Sequence, residues 1–160
     1  MGHFGFSYIG LLWLLLLWIP NSMWAKRKPE GYDPTGESKV LLGFERIGQV
    51  LCTAAILLFT DYNPDTFEPW TAWFIVSAAL MALYEVFWIR YFCSNKSAVD
   101  FYRPIFGIPA PGATLPVAAF LLLGIYGRVI WLIMSAAILG VGHIGIHLQH
   151  IKKLREGESE

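Results

Sequence analysis

The sequence predicts an all-α fold, a polytopic membrane bundle of five transmembrane helices. Three observations carry that expectation. Of 160 residues, 56% are hydrophobic and only 15% charged, with a mean hydropathy of +0.50, whereas soluble domains carry about a quarter charged residues. The apolar residues gather into five long runs separated by short polar stretches, each run able to span a hydrocarbon core of about 30 Å. Basic residues, finally, alternate from one connection to the next, as sorting of positive charge to the cytoplasmic side requires.

The first span is read at about Phe4–Trp24, with Pro20 able to kink it near the inner end. It lacks a positively charged start, and Met23-Trp24-Ala25 offers no small residue at the minus-three position. The run is therefore read as an uncleaved helix. Pro29, Gly31, Pro34 and Gly36 exclude regular structure from the loop that follows. The second span is read at 40–60, with a turn-rich acidic exit, and the third at 70–92. The connection CSNKSAVDFYRP can hold a short amphipathic stretch lying at the interface.

The fourth span, 107–126, contains Pro109, Pro111 and Pro116. Two prolines suit the first turn, where a missing N–H costs nothing, and Pro116 should kink the helix. A competing reading leaves 107–114 unwound, with Thr114 capping a helix from Leu115. The fifth span, 128–150, follows a turn so tight that the fourth and fifth helices form an antiparallel hairpin. The tail 151–160 reads as a loose cytoplasmic extension, and the whole chain as one domain.

Orientation follows from Lys and Arg. Lys26, Arg27, Lys28 and Lys39 occupy the first loop, Arg90, Lys96 and Arg103 flank the third, and Lys152, Lys153 and Arg155 lie in the tail. The second loop has none and carries Asp61, Asp65 and Glu68. The expectation is a multi-pass cell-membrane protein with its N-terminus outside and its C-terminus in the cytoplasm. A net charge of zero and no basic stripe argue against a nucleic-acid partner. Cys52 and Cys93 fall at different depths and read as free thiols.

Ionisable groups inside a bilayer cost about 2.5–3.5 kcal/mol each on the insertion scale, so each needs a reason. Glu45 and Arg46 in the second span, Glu85 in the third, and His143 and His147 in the fifth are such groups, with Asn21 and Gln49 as uncharged companions. Counted from the basic residue at each inner boundary, Asn21, Glu45, Glu85 and His147 all lie about 7–9 Å deep, and His143 about 6 Å deeper. Facing agrees with depth. Glu45 and Gln49 share a stripe with Cys52, Tyr84 and Glu85 lie on one side of their helix, and His143, His147 and His150 share one face. These residues predict a polar pocket opening toward the cytoplasm beside the proline-rich start of the fourth span.

The plainer readings are structural. Arg46 can pair with Glu85 or Glu45 simply to fix helix packing, His143 can donate to a carboxylate, and His150 reads as interfacial and solvated. The sharper readings are chemical. His143 and His147 at i and i+4 can share a divalent metal, although the intervening Ile144, Gly145 and Ile146 exclude H-E-x-x-H, and no cofactor is predicted. No G-x-S-x-G, phosphate loop or dinucleotide fingerprint occurs. The leading expectation is a pocket that binds or transports a small amphiphile, lipid, ion or proton within the bilayer. Its rivals are an intramembrane enzyme using carboxylate and histidine as acid and base on a lipid or isoprenoid-like substrate, and an accessory subunit without chemistry in a homo-oligomer or larger complex.

Overall fold

A computed structural model describes residues 2–29 and 31–157. Among them the chain forms helices α1 (Tyr8–Lys26), α2 (Lys39–Leu58), α3 (Ala72–Phe92), α4 (Ala98–Tyr102), α5 (Pro111–Tyr126) and α6 (Ile130–Gly157), with no strand. α1, α2, α3 with the turn before it, and α6 are each long and apolar enough to cross a membrane. α5 is apolar but, at 16 residues, only about 24 Å long. The all-helical architecture is consistent with a helical membrane bundle. So is its outer surface, where Leu12, Trp18, Ile47, Val50, Ile75, Ile89 and Met134 are exposed.

Local chemistry sets the helix ends. Ser7 caps α1, its hydroxyl accepting from the Gly10 amide at 2.8 Å. Ser97 and Asp100 form a capping box on α4, and the Ser97 hydrogen bond is the main cause holding the Asp100 carboxyl below its usual value. α4 is the short element predicted between the third and fourth spans, and its Ala98, Phe101 and Tyr102 pack into the protein.

The fourth span differs from both sequence readings. Its helix starts at Pro111, with residues 107–110 outside it and Pro116 inside it. Ala110 precedes Pro111 in the left-handed region (φ 44°), which breaks the helix there. Thr114 does not cap a helix from Leu115; its hydroxyl donates to the Pro109 carbonyl at 2.8 Å. The fifth span also differs, because α6 runs on to Gly157. Most of the predicted loose tail is therefore helix, and residues 158–160 lie outside the described residues.

The four long helices and the shorter α5 close into a ring in which α1 touches α2, α2 touches α6, α6 touches α5, α5 touches α3 and α3 returns to α1. The extensive contacts are those of α2 with α6, α3 with α5 and α5 with α6. α1 is held more lightly and at chosen points. At one end its Gly10 lies so near α2 that a Cβ there would collide with the Ile56 carbonyl oxygen. Further along, Trp13 Nε1 donates to Ser77 Oγ at 3.3 Å, and Ser77 Oγ donates to the Ala119 carbonyl at 2.7 Å, tying α1, α3 and α5 together. Beyond Gly10, the facing sides of α1 and α2 enclose a groove.

Candidate functional site

The site starts from the seam between α2 and α6, which pack through glycine on both sides. A Cβ on Gly48 would sit 2.5 Å from Leu139 Cα, and one on Gly142 would sit 2.6 Å from the Leu41 carbonyl oxygen. Bare backbone at these two positions lets the helices approach until their side chains meet. The result is a direct contact from Glu45 Oε1 to His143 Nδ1 at 2.5 Å, with both side chains largely shielded. One helical turn on, the His147 ring meets His143 edge to face, with centroids 4.6 Å apart.

Beside this pair lies a cavity of about 220 Å³. Asn21, Glu45, Gln49, His143 and His147, drawn from α1, α2 and α6, all line it. The sequence therefore brings five of its eight candidate residues to one place. Tyr84 stands one step back, its hydroxyl accepting from Asn21 Nδ2 at 2.6 Å, while the same amide nitrogen donates to the Leu17 carbonyl at 2.7 Å. The other two do not line the cavity. Arg46 is exposed and pairs with neither Glu45 nor Glu85, because Glu45 is taken by His143. One residue along a helix turns a side chain by about 100°, which takes Arg46 off the Glu45–Gln49 stripe and Glu85 off the face that carries Tyr84. Glu85 instead keeps a buried Oε1 without a hydrogen-bond partner among the described residues.

Sequence reasoning missed the cavity's other walls. Trp24 from α1, Trp88 from α3 and Phe101 from α4 line it as rings, and Tyr32 and Glu37 reach it from the loop after α1. His150 is not solvated as the sequence suggested: it is 5% exposed, and its Nε2 lies 2.8 Å from Glu37 Oε1. The Tyr32 hydroxyl donates to the same carboxylate at 3.3 Å, and its ring packs on His150 at 4.9 Å. Burial first, and then the Glu37 charge, pushes the Tyr32 phenol up to about 12. The irregular loop thus folds back over this end of the bundle, with Lys153 Nζ donating to the Thr35 carbonyl to hold it. The one available signal was Tyr32, the single aromatic residue in a loop otherwise made of charged and turn residues.

At the opposite side the cavity meets a second space. A groove of about 770 Å³ runs between α1 and α2 over α5 and α6, walled by residues such as Leu14, Trp18, Val50, Leu57 and Phe120. Asn21, Gln49 and His143 line both spaces and form the boundary between them. A polar cavity thus lies at one end of a long apolar trough.

Several polar atoms around the cavity want partners. Trp24 Nε1, Trp88 Nε1 and His147 Nδ1 are buried with no hydrogen bond among the described residues. Such groups are rare in folded proteins and mark places where water or a ligand belongs. Among the described residues no group of three or more His, Cys, Asp or Glu is placed to hold a metal ion, so the His143–His147 pair stands without the further ligands a metal would need. Comparison with known proteins adds no identity. No family model, curated protein or solved structure matches this chain.

Proposed function

We propose that this chain is an integral membrane protein that binds a small amphiphile, with the apolar tail in the groove and the polar head in the cavity. The observation that carries the reading is the shared boundary, since Asn21, Gln49 and His143 each face both spaces. A ligand site is a concave, mostly apolar space with a few convergent polar groups, and the trough with its polar end has that form. Entry is lateral, from the bilayer, because Tyr32, Glu37 and Phe101 cover the cavity on the loop side. The basic loop around Lys26, Arg27 and Lys28 sets this end of the bundle in the cytoplasmic leaflet.

Native mass spectrometry of the full chain released from lipid nanodiscs tests this. The wild type should carry a bound amphiphile, and Ala54→Trp, which fills the groove wall, should lose it while melting at a similar temperature. Identical adducts on both proteins, or none on the wild type, overturn the reading.

One observation favours an enzymatic second reading. Glu45 occupies His143 Nδ1, which fixes the imidazole and leaves Nε2 as a base at the boundary of the groove. Lipid extracts from cells expressing wild type or His143→Ala should then differ in one lipid species, and unchanged profiles count against turnover.

A further inference from the structure

Resting on the amphiphile reading, we infer that the head group the cavity takes is a cation, the ammonium of a single-chain cationic amphiphile. The charge of the walls points there. Glu37 and Glu45 both line the cavity, and no Lys or Arg does. Each carboxylate has its Oε1 engaged, Glu45 by His143 and Glu37 by His150 and Tyr32, while its Oε2 makes no hydrogen bond among the described residues. Two carboxylates from different segments thus converge on one space with no Lys or Arg side chain among its walls, and a bound cation would pair with their open oxygens. An anionic head would face both carboxylates at close range in a poorly screened space.

The aromatic walls select the same charge. Trp24, Tyr32, Trp88 and Phe101 surround the space, with Trp24 edge-on to Tyr32 at 5.1 Å and stacked on Phe101 at 5.4 Å. Rings so arranged around carboxylates attract ammonium groups through their negative faces. Tyr32 already shows the tendency, carrying the Lys28 ammonium 5.6 Å from its centroid. Neither nearby lysine fills the cavity: Lys28 is exposed, and Lys153 is held by the Thr35 carbonyl. A volume of about 220 Å³ suits a methylated ammonium head or a small cluster of waters.

Photo-crosslinking in zwitterionic-lipid nanodiscs tests this with the full chain. Three probes share a dodecyl chain with a terminal diazirine and carry a trimethylammonium, a sulfate or an uncharged glycerol-ether head. At equal membrane concentration, the ammonium probe should label the groove-facing peptides of α1 and α2 about tenfold more than the sulfate probe. The double substitution Glu37→Gln and Glu45→Gln should bring ammonium labelling down to the level of the uncharged probe, whose own labelling reports that the groove persists. Trp24→Leu should lower ammonium labelling alone, which keeps the test open if the double variant does not fold. Equal labelling by sulfate and ammonium probes in the wild type, or an ammonium preference that survives loss of both carboxylates, overturns the inference and leaves the amphiphile reading standing. If excess unlabelled amphiphile competes with no probe at all, the amphiphile reading itself falls.

Discussion

Replacing Gly142 by alanine tests whether close helix approach is what creates the site. The added methyl would lie 2.6 Å from the Leu41 carbonyl oxygen and 2.7 Å from Glu45 Cα, and nearer still to the Glu45 amide nitrogen. All three are backbone atoms of α2, so no flexible side chain can move aside. Ordinary van der Waals contact then requires α2 and α6 to part by about 1 Å. Overpacking of this kind costs about 1–3 kcal/mol, and alanine returns at most about 1 kcal/mol through helix propensity. The same separation stretches the 2.5 Å contact between Glu45 and His143 beyond hydrogen-bonding distance, losing about 1–2 kcal/mol more. A net destabilisation of about 1–5 kcal/mol is expected for Gly142→Ala. Gly43→Ala is the control, since a Cβ there meets nothing within 4 Å; it should be neutral or slightly stabilising. Thermal unfolding in nanodiscs compares them, and the imidazole nitrogen shifts of His143 report the carboxylate contact. If Gly142→Ala melts at or above Gly43→Ala and the His143 signals do not move, glycine packing is not what assembles the pair.

Two further predictions concern groups outside the spans. Burial and the Glu37 charge raise the Tyr32 phenol to about 12, so Glu37→Gln should lower its midpoint while leaving it above the ordinary value near 10; ultraviolet titration against a Tyr32→Phe reference measures this, and an unmoved midpoint refutes the loop's position over the cavity. At the other end, burial alone would raise the Asp61 carboxyl, but hydrogen bonds from the His3 amide at 2.6 Å and with the His3 ring at 2.9 Å outweigh it and lower the value. A depressed carboxyl stabilises the fold above its unfolded titration near pH 4, and that contribution is lost as pH falls through the lower folded value. Protection factors for the amides of residues 2–6, with the base-catalysed intrinsic rate divided out, should therefore be high at pH 7 and fall below about pH 4, and Asp61→Asn should show low protection at both; pH-independent protection in the wild type would refute the anchor.

How much of the site could be read from the chain depends on which physical rule governs each residue. Glu45, Gln49, His143 and His147 sit on long regular helices, where 1.5 Å and 100° per residue convert spacing into depth and facing. Asn21 was found by depth as well, and its partner Tyr84 by face. The same rule, applied one residue further, separates Arg46 and Glu85 from their neighbours, and their grouping with the pocket ignored it. Tyr32, Glu37 and Phe101 follow no such period. They reach the cavity because an irregular loop and a five-residue helix fold back on the bundle. His150 misled for that reason: it lies near the end of a hydrophobic stretch, and only the returning loop buries it against Glu37.

Composition and hydrophobic run length determined the class of this protein, because a chain of long apolar helices must satisfy its backbone internally wherever no water reaches. Helix periodicity likewise determined which polar residues share a layer. Tertiary structure alone decided that this layer is roofed by loop residues, walled by four rings and joined to an apolar groove. Those features depend on how closely helices approach at glycines such as Gly142, and on which side a loop returns. Such distances arise between segments far apart in the chain, where no local spacing encodes them.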